Sequence, residues 1–284
     1  MEKFGGRKVT WIGGDNKPKT FQRAVEAQER RPKFETEGIR QVREKIGFVD
    51  FAILRNIFAQ LYSKAGLNPD AMNFFELESI SDNGGPISKA AYTPETNQLG
   101  LNVRSLEAWA EELELDEQVL LAGVVFHEQT HAVGRVECVY TEERGGGVLN
   151  KVGYSFQVDK PVDPSKGHYL KHDEEMLFRG LNEGLTELIT HDVLRAYAER
   201  TSQFDPAALE KYFQITNAYP VVHIAEEFIA KVAERSSLTK DEVTESLKLG
   251  YFGGSNFLEE MHQAYPDLAK GDGYMASLAR RGLT

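Results

Sequence analysis

The sequence predicts an α+β protein that is mostly helical and carries a small antiparallel β-sheet. Segments 48–65 and 116–133 repeat apolar residues at the spacing of an α-helix. Segments 84–103 and 148–158 instead combine strand-like runs with turn residues. A hydrophobic content of 41% with 27% charged residues is typical of a soluble globular protein, which excludes a disordered or fibrous chain.

Residues 1–45 are interpreted as a basic N-terminal extension, and residues 46–284 as one domain. The first 48 residues carry 12 Lys or Arg against 7 acidic residues, whereas the whole chain has a net charge of −11. In the extension, Lys8 to Ile12 is predicted as a short strand and Phe21 to Gln28 as a helix. An acidic domain argues against a nucleic-acid partner, because phosphate binding requires clustered positive charge.

The sequence predicts no membrane span. Its longest apolar stretch, Val119 to Phe126, is far shorter than the ~20 residues that cross a bilayer. The one cysteine, Cys138, cannot form an intrachain disulfide, and the N-terminal residues lack the apolar core of a secretory signal. We therefore expect a cytoplasmic protein, or one exported by a route that needs no signal, without a membrane partner. The oligomeric state stays open.

Two hairpins interrupt the helical pattern. In the first, Ile87 to Tyr92 and Gln98 to Val103 are short strands joined by a turn that contains Pro94. The second lies in the roughly alternating run Val148 to Val158. The remaining predicted elements are helices over 48–65, which Gly66 is placed to end, over 106–113 and 116–133, and within 206–264.

The helix that begins at Asp116 carries an HExxH motif, His127 to His131. Two histidines four residues apart project from one helix face, about one turn of ~5.4 Å apart, so both imidazoles can reach a single ion. Glu128 lies on the adjoining face, where it can contact a water molecule bound to that ion. The apolar residues before the motif predict a buried helix, and burying two imidazoles costs free energy unless they are paired or bind metal.

A catalytic zinc usually has three protein ligands, so the motif needs a third. One candidate is Glu183, which precedes Glu187 by about one helical turn. One of these carboxylates can then bind metal while the other orients a ligand imidazole. The other candidate is Glu137, six residues after His131, where the metzincin pattern HExxHxxGxxH places a histidine. The stripe that Glu183 shares with Glu187, beside a separate apolar face, favours Glu183.

With these motifs the sequence resembles the gluzincins, the thermolysin-like zinc metallopeptidases. In that family, HExxH on one helix is completed by a glutamate on a later helix, within an NExxxD or NExxxE stretch. The resemblance extends from about residue 87 to about residue 198 and implies a zincin-like fold. The matching residues are His127, His131 and Glu183 as metal ligands, Glu128 as catalytic residue, and Glu187 and Asn182 outside the ligand set.

The resemblance implies a zinc endopeptidase that acts on peptides or proteins, with Glu128 as the general base toward a zinc-activated water. We expect the substrate to lie extended along the 98–103 strand, taken as an unpaired sheet edge. Two alternatives stay open: a zincin-fold binding module without turnover, and a zinc hydrolase of a non-peptide substrate. The candidates for a hydrogen-bond donor to the oxyanion are Tyr154, Tyr169, His172, Tyr219 and His223.

Overall fold

Helices predominate over strands in the part of the chain that a computed structural model describes. That part comprises residues 7–12, 22, 37–82, 89–94, 97–141, 147–160, 171–172 and 179–264. An α+β protein that is mostly helical with small sheets is therefore confirmed. The helix predicted over 21–28 lies almost entirely outside the described residues.

The predicted helices over 48–65, 106–113 and 116–133 are confirmed, with ends shifted by up to three residues. No helix in the described ranges combines the length and the apolar character of a membrane-spanning segment. The helices are α1 (Glu37–Ile46), α2 (Phe51–Lys64), α3 (Val103–Glu112), α4 (Glu117–Val133), α5 (Arg179–Thr201), α6 (Pro206–Asn217), α7 (Pro220–Arg235), α8 (Lys240–Tyr251) and α9 (Phe257–Ala264).

Helix α4 begins and ends at residues suited to those positions. The Asp116 side chain accepts a hydrogen bond from Val119 N and caps the first turn. At the other end the backbone becomes extended at Gly134, with ψ 171°, and continues into a strand. Most side chains of α4 are buried, and the helix packs against α5 in the main apolar core. The HExxH motif therefore lies on a helix that the core holds on several sides.

A three-stranded sheet lies beside α4, in the order β2 (Ile80–Asp82), β4 (Gln98–Leu101), β3 (Ala90–Thr93). The predicted hairpin is confirmed, because β3 and β4 pair antiparallel. The prediction that the 98–103 strand is an unpaired edge is wrong: β4 lies in the middle and also pairs with β2, in parallel. Strand β2 has only three residues, too few for a recognisable sequence pattern. The edge strands are β2 and β3.

A second sheet has five strands, and it confirms the predicted strand near Lys8 and the hairpin near 148–158. The expectation of a single antiparallel sheet is wrong, because there are two sheets and each contains one parallel pair. In the five-stranded sheet, the parallel pair joins the first strand to the strand after α4. The division of the chain into an N-terminal extension, residues 1–45, and one domain, residues 46–284, stays a prediction. The strand order is β1 (Arg7–Ile12), β5 (Val136–Thr141), β6 (Gly147–Val152), β7 (Ser155–Lys160), β8 (Lys171–His172).

Candidate metal centre

His127, His131 and Glu183 converge where one face of α4 meets one face of α5. Their possible ligand atoms all lie within 4.8 Å of one another. The Glu183 Oε2 atom is 3.5 Å from His127 Nε2 and 3.4 Å from His131 Nε2. Two imidazole nitrogens and one carboxylate oxygen form a donor set known from catalytic zinc sites. The structure thus brings the predicted ligands together in a cluster that could hold a metal ion.

Glu137 lies outside this cluster. The chain leaves α4 at Gly134, where a Cβ atom would lie 2.7 Å from the Tyr251 ring. Glu137 then falls on β5, and its carboxylate is 3.7 Å from the guanidinium group of Arg135. Because α4 ends at Val133, Glu137 does not lie on the helix that carries His127 and His131.

Glu187 contacts the second ring nitrogen of His127, as the spacing predicted. Its Oε2 atom is 2.8 Å from His127 Nδ1. Its Oε1 atom is 3.2 Å from His191 Nε2 and accepts a hydrogen bond from the Tyr212 hydroxyl at 3.4 Å. The same nitrogen of His191 is 2.7 Å from Thr216 Oγ1. One buried carboxylate therefore links α4 and α5 to α6.

These buried pairs shift the ionisation of their members. Burial raises the pKa of Glu187, but hydrogen bonds with His127 and His191 outweigh it and lower the pKa to about 2. Burial likewise raises the pKa of Glu183, yet the charges and hydrogen bonds of His131 and His127 hold it well below its usual value. Burial lowers the pKa of His127, whereas Glu183 and Glu187 raise it well above its usual value. The site thus keeps its carboxylates ionised and favours a positive charge at its centre.

His131 is oriented by hydroxyl groups. Its Nδ1 atom is 3.2 Å from the Tyr251 hydroxyl, which lies 2.9 Å from Thr186 Oγ1. Thr186 donates its own proton to the carbonyl of Asn182 at 2.8 Å, so it accepts the proton of Tyr251. The Tyr251 oxygen can then accept from the Nδ1–H group of His131, which leaves Nε2 of that imidazole as an unprotonated ligand atom. Burial raises the pKa of Tyr251, so its hydroxyl keeps its proton.

Asn182 lies outside the cluster of ligand atoms. Its side-chain oxygen accepts a hydrogen bond from Tyr154 N at 2.8 Å, in the turn between β6 and β7. Its carbonyl is linked to His131 through the hydroxyl group of Thr186, which lies 3.5 Å from His131 Nδ1 and also contacts the Tyr251 hydroxyl. Asn182 therefore connects the metal centre to the five-stranded sheet and makes no described hydrogen bond with a ligand side chain.

The Glu128 side chain is held by the edge strand β3. Its Oε2 atom accepts a hydrogen bond from Tyr92 N on β3 at 2.9 Å. Beside it opens a cleft of about 480 Å³, lined by residues of α4 and α5, including His127 and Glu183. Its apolar lining residues are Ala90, Trp109, Leu120, Val124 and Val221, and its basic lining residues are Lys89 and Arg179.

Of the five candidate oxyanion donors, Tyr219 lies in this cleft. Its hydroxyl is buried and has no hydrogen-bond partner among the described residues. Burial raises the pKa of Tyr219 to about 12. The Tyr154 hydroxyl donates to the carbonyl of Leu247, away from the cleft. The remaining candidates are His223, which is exposed beside Glu226, and Tyr169 and the His172 side chain, which lie outside the described part.

Comparison with protein-family models, curated proteins and solved structures finds no significant match for this chain. Similarity over the chain therefore does not confirm the gluzincin family or the zincin-like fold. The resemblance depends on the motifs and on the cluster that the structure forms from them.

Sequence reasoning missed the hydroxyl groups around the centre. Tyr251 lies 120 residues after His131, and no fixed spacing links the two. Tyr212 and Thr216 are one helical turn apart on α6, which is the one local signal that they share a face. That signal does not indicate which partner the face contacts.

Proposed function

We propose that this chain is a zinc-dependent metallopeptidase that hydrolyses peptide bonds with Glu128 as general base. The observation that carries the proposal is the convergence of His127, His131 and Glu183 beside a carboxylate in the same cleft. The donor set fits zinc, which prefers imidazole nitrogen and carboxylate oxygen and, in catalytic sites, takes three protein ligands.

When bound, zinc supplies Lewis acidity that lowers the pKa of a water molecule to about 7 and polarises a peptide carbonyl. Glu128 accepts the proton of the attacking water and then passes it to the leaving amine. The amide of Tyr92 holds one oxygen of Glu128, so the carboxylate is oriented before the substrate arrives. Glu187 and Tyr251 keep the two imidazoles in the tautomers that expose Nε2.

We assign Tyr219 as the hydrogen-bond donor to the substrate carbonyl oxygen, which gains negative charge during attack. A buried hydroxyl without a partner costs roughly 1–3 kcal/mol in the folded protein, and a substrate oxygen would remove that cost. With a pKa of about 12, the group remains a hydrogen-bond donor at neutral pH. A donor that strengthens its bond as charge develops lowers the barrier.

The substrate path is assigned to β3. This strand pairs with β4 on one side, and its Tyr92 amide reaches Glu128. An extended peptide can add to such an edge through backbone hydrogen bonds, which bind any sequence and leave selectivity to side-chain pockets. The scissile bond would then pass close to Glu128.

Replacing Glu128 with Gln tests the chemistry. The amide has nearly the same shape but cannot accept a proton, so we expect unchanged zinc content and a loss of about 10² to 10⁴ in hydrolysis rate. A library of unstructured peptides, incubated with the zinc-loaded protein and analysed by mass spectrometry, provides the measurement. Glu137→Gln, the same substitution on β5, is expected to cleave at the wild-type rate.

Cleavage that continues unchanged in the Glu128→Gln variant would contradict the proposed mechanism. A zinc-loaded wild type that cleaves no peptide would instead favour the silent binding module or the hydrolase of a non-peptide substrate.

A further inference from the structure

The cleft contains a lysine whose charge faces an aromatic ring. Lys89 Nζ lies 3.5 Å from the centroid of the Trp109 ring, a cation–π contact. Within the described ranges, Lys89 forms no ion pair with a carboxylate. Other lysines of this acidic chain do form such pairs: Lys45, Lys64, Lys211, Lys231 and Lys248.

The electrostatic surroundings of Lys89 suit an incoming anion. Partial burial lowers the pKa of Lys89, and the charge of Glu112 offsets part of that shift. The carboxylates that line the same cleft already have partners: Glu128 accepts a hydrogen bond from Tyr92 N, Glu187 accepts one from the Tyr212 hydroxyl, and Glu183 belongs to the metal-ligand cluster. Lys89 and Arg179 are the basic side chains of this lining.

The backbone places Lys89 on the assigned substrate path. Lys89 directly precedes β3, and its carbonyl accepts a hydrogen bond from Asn102 N at 2.8 Å, which fixes the residue against the start of α3. On α4, Val124 and Leu120 lie about one and two turns before His127 and line the same cleft. A peptide along β3 therefore meets an apolar wall and a lysine in the same cleft as the catalytic glutamate.

We propose that Lys89, held over Trp109, binds a carboxylate of the substrate. This carboxylate lies close to an apolar side chain of the same substrate, which occupies the cleft. The inference rests on the proposed function, because it takes this cleft as the substrate cleft. An ammonium group in a partly desolvated position forms a strong charge-assisted hydrogen bond with a carboxylate. The carboxylate belongs either to an Asp or Glu side chain or to the C-terminus of a peptide.

Peptide binding can be measured without turnover. The chain has two tryptophans, so Trp11→Phe leaves Trp109 in the cleft as the sole tryptophan, whose fluorescence reports binding, and Glu128→Gln prevents hydrolysis. The zinc-loaded double variant is titrated with three N-acetylated pentapeptides that have a central leucine. The first has glutamate after the leucine and an amidated end, the second has glutamine there and an amidated end, and the third has glutamine and a free carboxylate end.

We expect at least one of the two acidic peptides to bind about tenfold or more tightly than the neutral peptide. Which of the two binds tightly shows whether the cleft recognises a side chain or a chain end. In the same background, Lys89→Met is expected to reduce this preference to less than about twofold. It should still bind the neutral peptide, which shows that the cleft is intact. Lys64→Met removes an equal charge outside the cleft and should keep the preference.

Equal binding of the three peptides, no binding of any of them, or a preference that survives Lys89→Met would overturn the inference. These outcomes are separate from those of the hydrolysis assay. If the wild type cleaves no peptide while the carboxylate preference depends on Lys89, the peptidase proposal fails and the recognition by Lys89 stands. If the wild type cleaves peptides and no carboxylate preference is found, the peptidase proposal stands and the inference about Lys89 fails.

Discussion

The two histidines of the centre are oriented by different chemical groups. His127 contacts the carboxylate of Glu187, whereas His131 contacts the neutral hydroxyl of Tyr251. An ionised carboxylate raises the basicity of an imidazole more than a phenol does, because it stabilises positive charge on the ring. The two imidazoles are therefore unequal ligands, and the geometry of His131 depends on a chain of hydroxyl groups that ends at a backbone carbonyl.

Tyr251→Phe removes the first hydroxyl of that chain and keeps the ring. Partners outside the ligand set are typically worth 10- to 100-fold in metal affinity, so we expect zinc to bind about 10- to 100-fold more weakly. Competition with a chromophoric chelator measures this. Tyr62→Phe is the matched control, because its hydroxyl is also buried and donates to a backbone carbonyl, that of Val133, at 2.6 Å. Equal zinc affinities in the two variants would contradict the role of Tyr251.

Elements with a strong local pattern were predictable, and those that depend on tertiary pairing were not. Helix α4 follows from its Asp116 cap and apolar spacing, and Glu183 and Glu187 share a face because one helix carries both. The pairing of β2 with β4 brings together segments whose sequences do not signal it, since β2 is so short. Tyr251 reaches His131 through the packing of α8 on the core, which no spacing rule encodes.

The contact between α5 and α7 tests how closely these helices must approach. Gly184 follows the ligand Glu183, and a Cβ atom there would overlap the backbone carbonyl of Val221 and lie 2.7 Å from Ala225 Cβ. A carbonyl within a helix cannot move aside as a side chain can. We therefore expect Gly184→Ala to destabilise the protein by about 1–3 kcal/mol and to weaken zinc binding by displacing Glu183.

Urea unfolding in the presence of a chelator gives the first quantity, and chelator competition gives the second. The control is Gly38→Ala on α1, where the atoms nearest the added Cβ belong to the side chain of Asp82, whose carboxylate can rotate away. Alanine also favours a helix over glycine by about 1 kcal/mol, so this variant should be at least as stable as the wild type. Equal stability of the two alanine variants would show that α5 and α7 can separate without cost.

Across the whole molecule, the centre joins parts of the chain that are distant in sequence. Its ligands come from α4 and α5, Glu187 extends the contacts to α6, and Tyr251 extends them to α8. An unfolded chain does not hold these groups together, so an ion that binds the centre binds the folded state preferentially. Metal content and global stability are therefore linked.

This linkage predicts that zinc raises the melting temperature. At a free zinc concentration of about 100 times the dissociation constant, the folded state gains about 2.7 kcal/mol, or roughly 5 °C for a chain of this size. Excess chelator should reverse the increase, measured by differential scanning fluorimetry. Glu183→Gln removes a ligand of the cluster and should abolish most of the increase in melting temperature. The Glu137 carboxylate lies beside Arg135, outside the cluster, so Glu137→Gln should keep the increase. A full zinc response in Glu183→Gln together with its loss in Glu137→Gln would reverse the assignment of the third ligand.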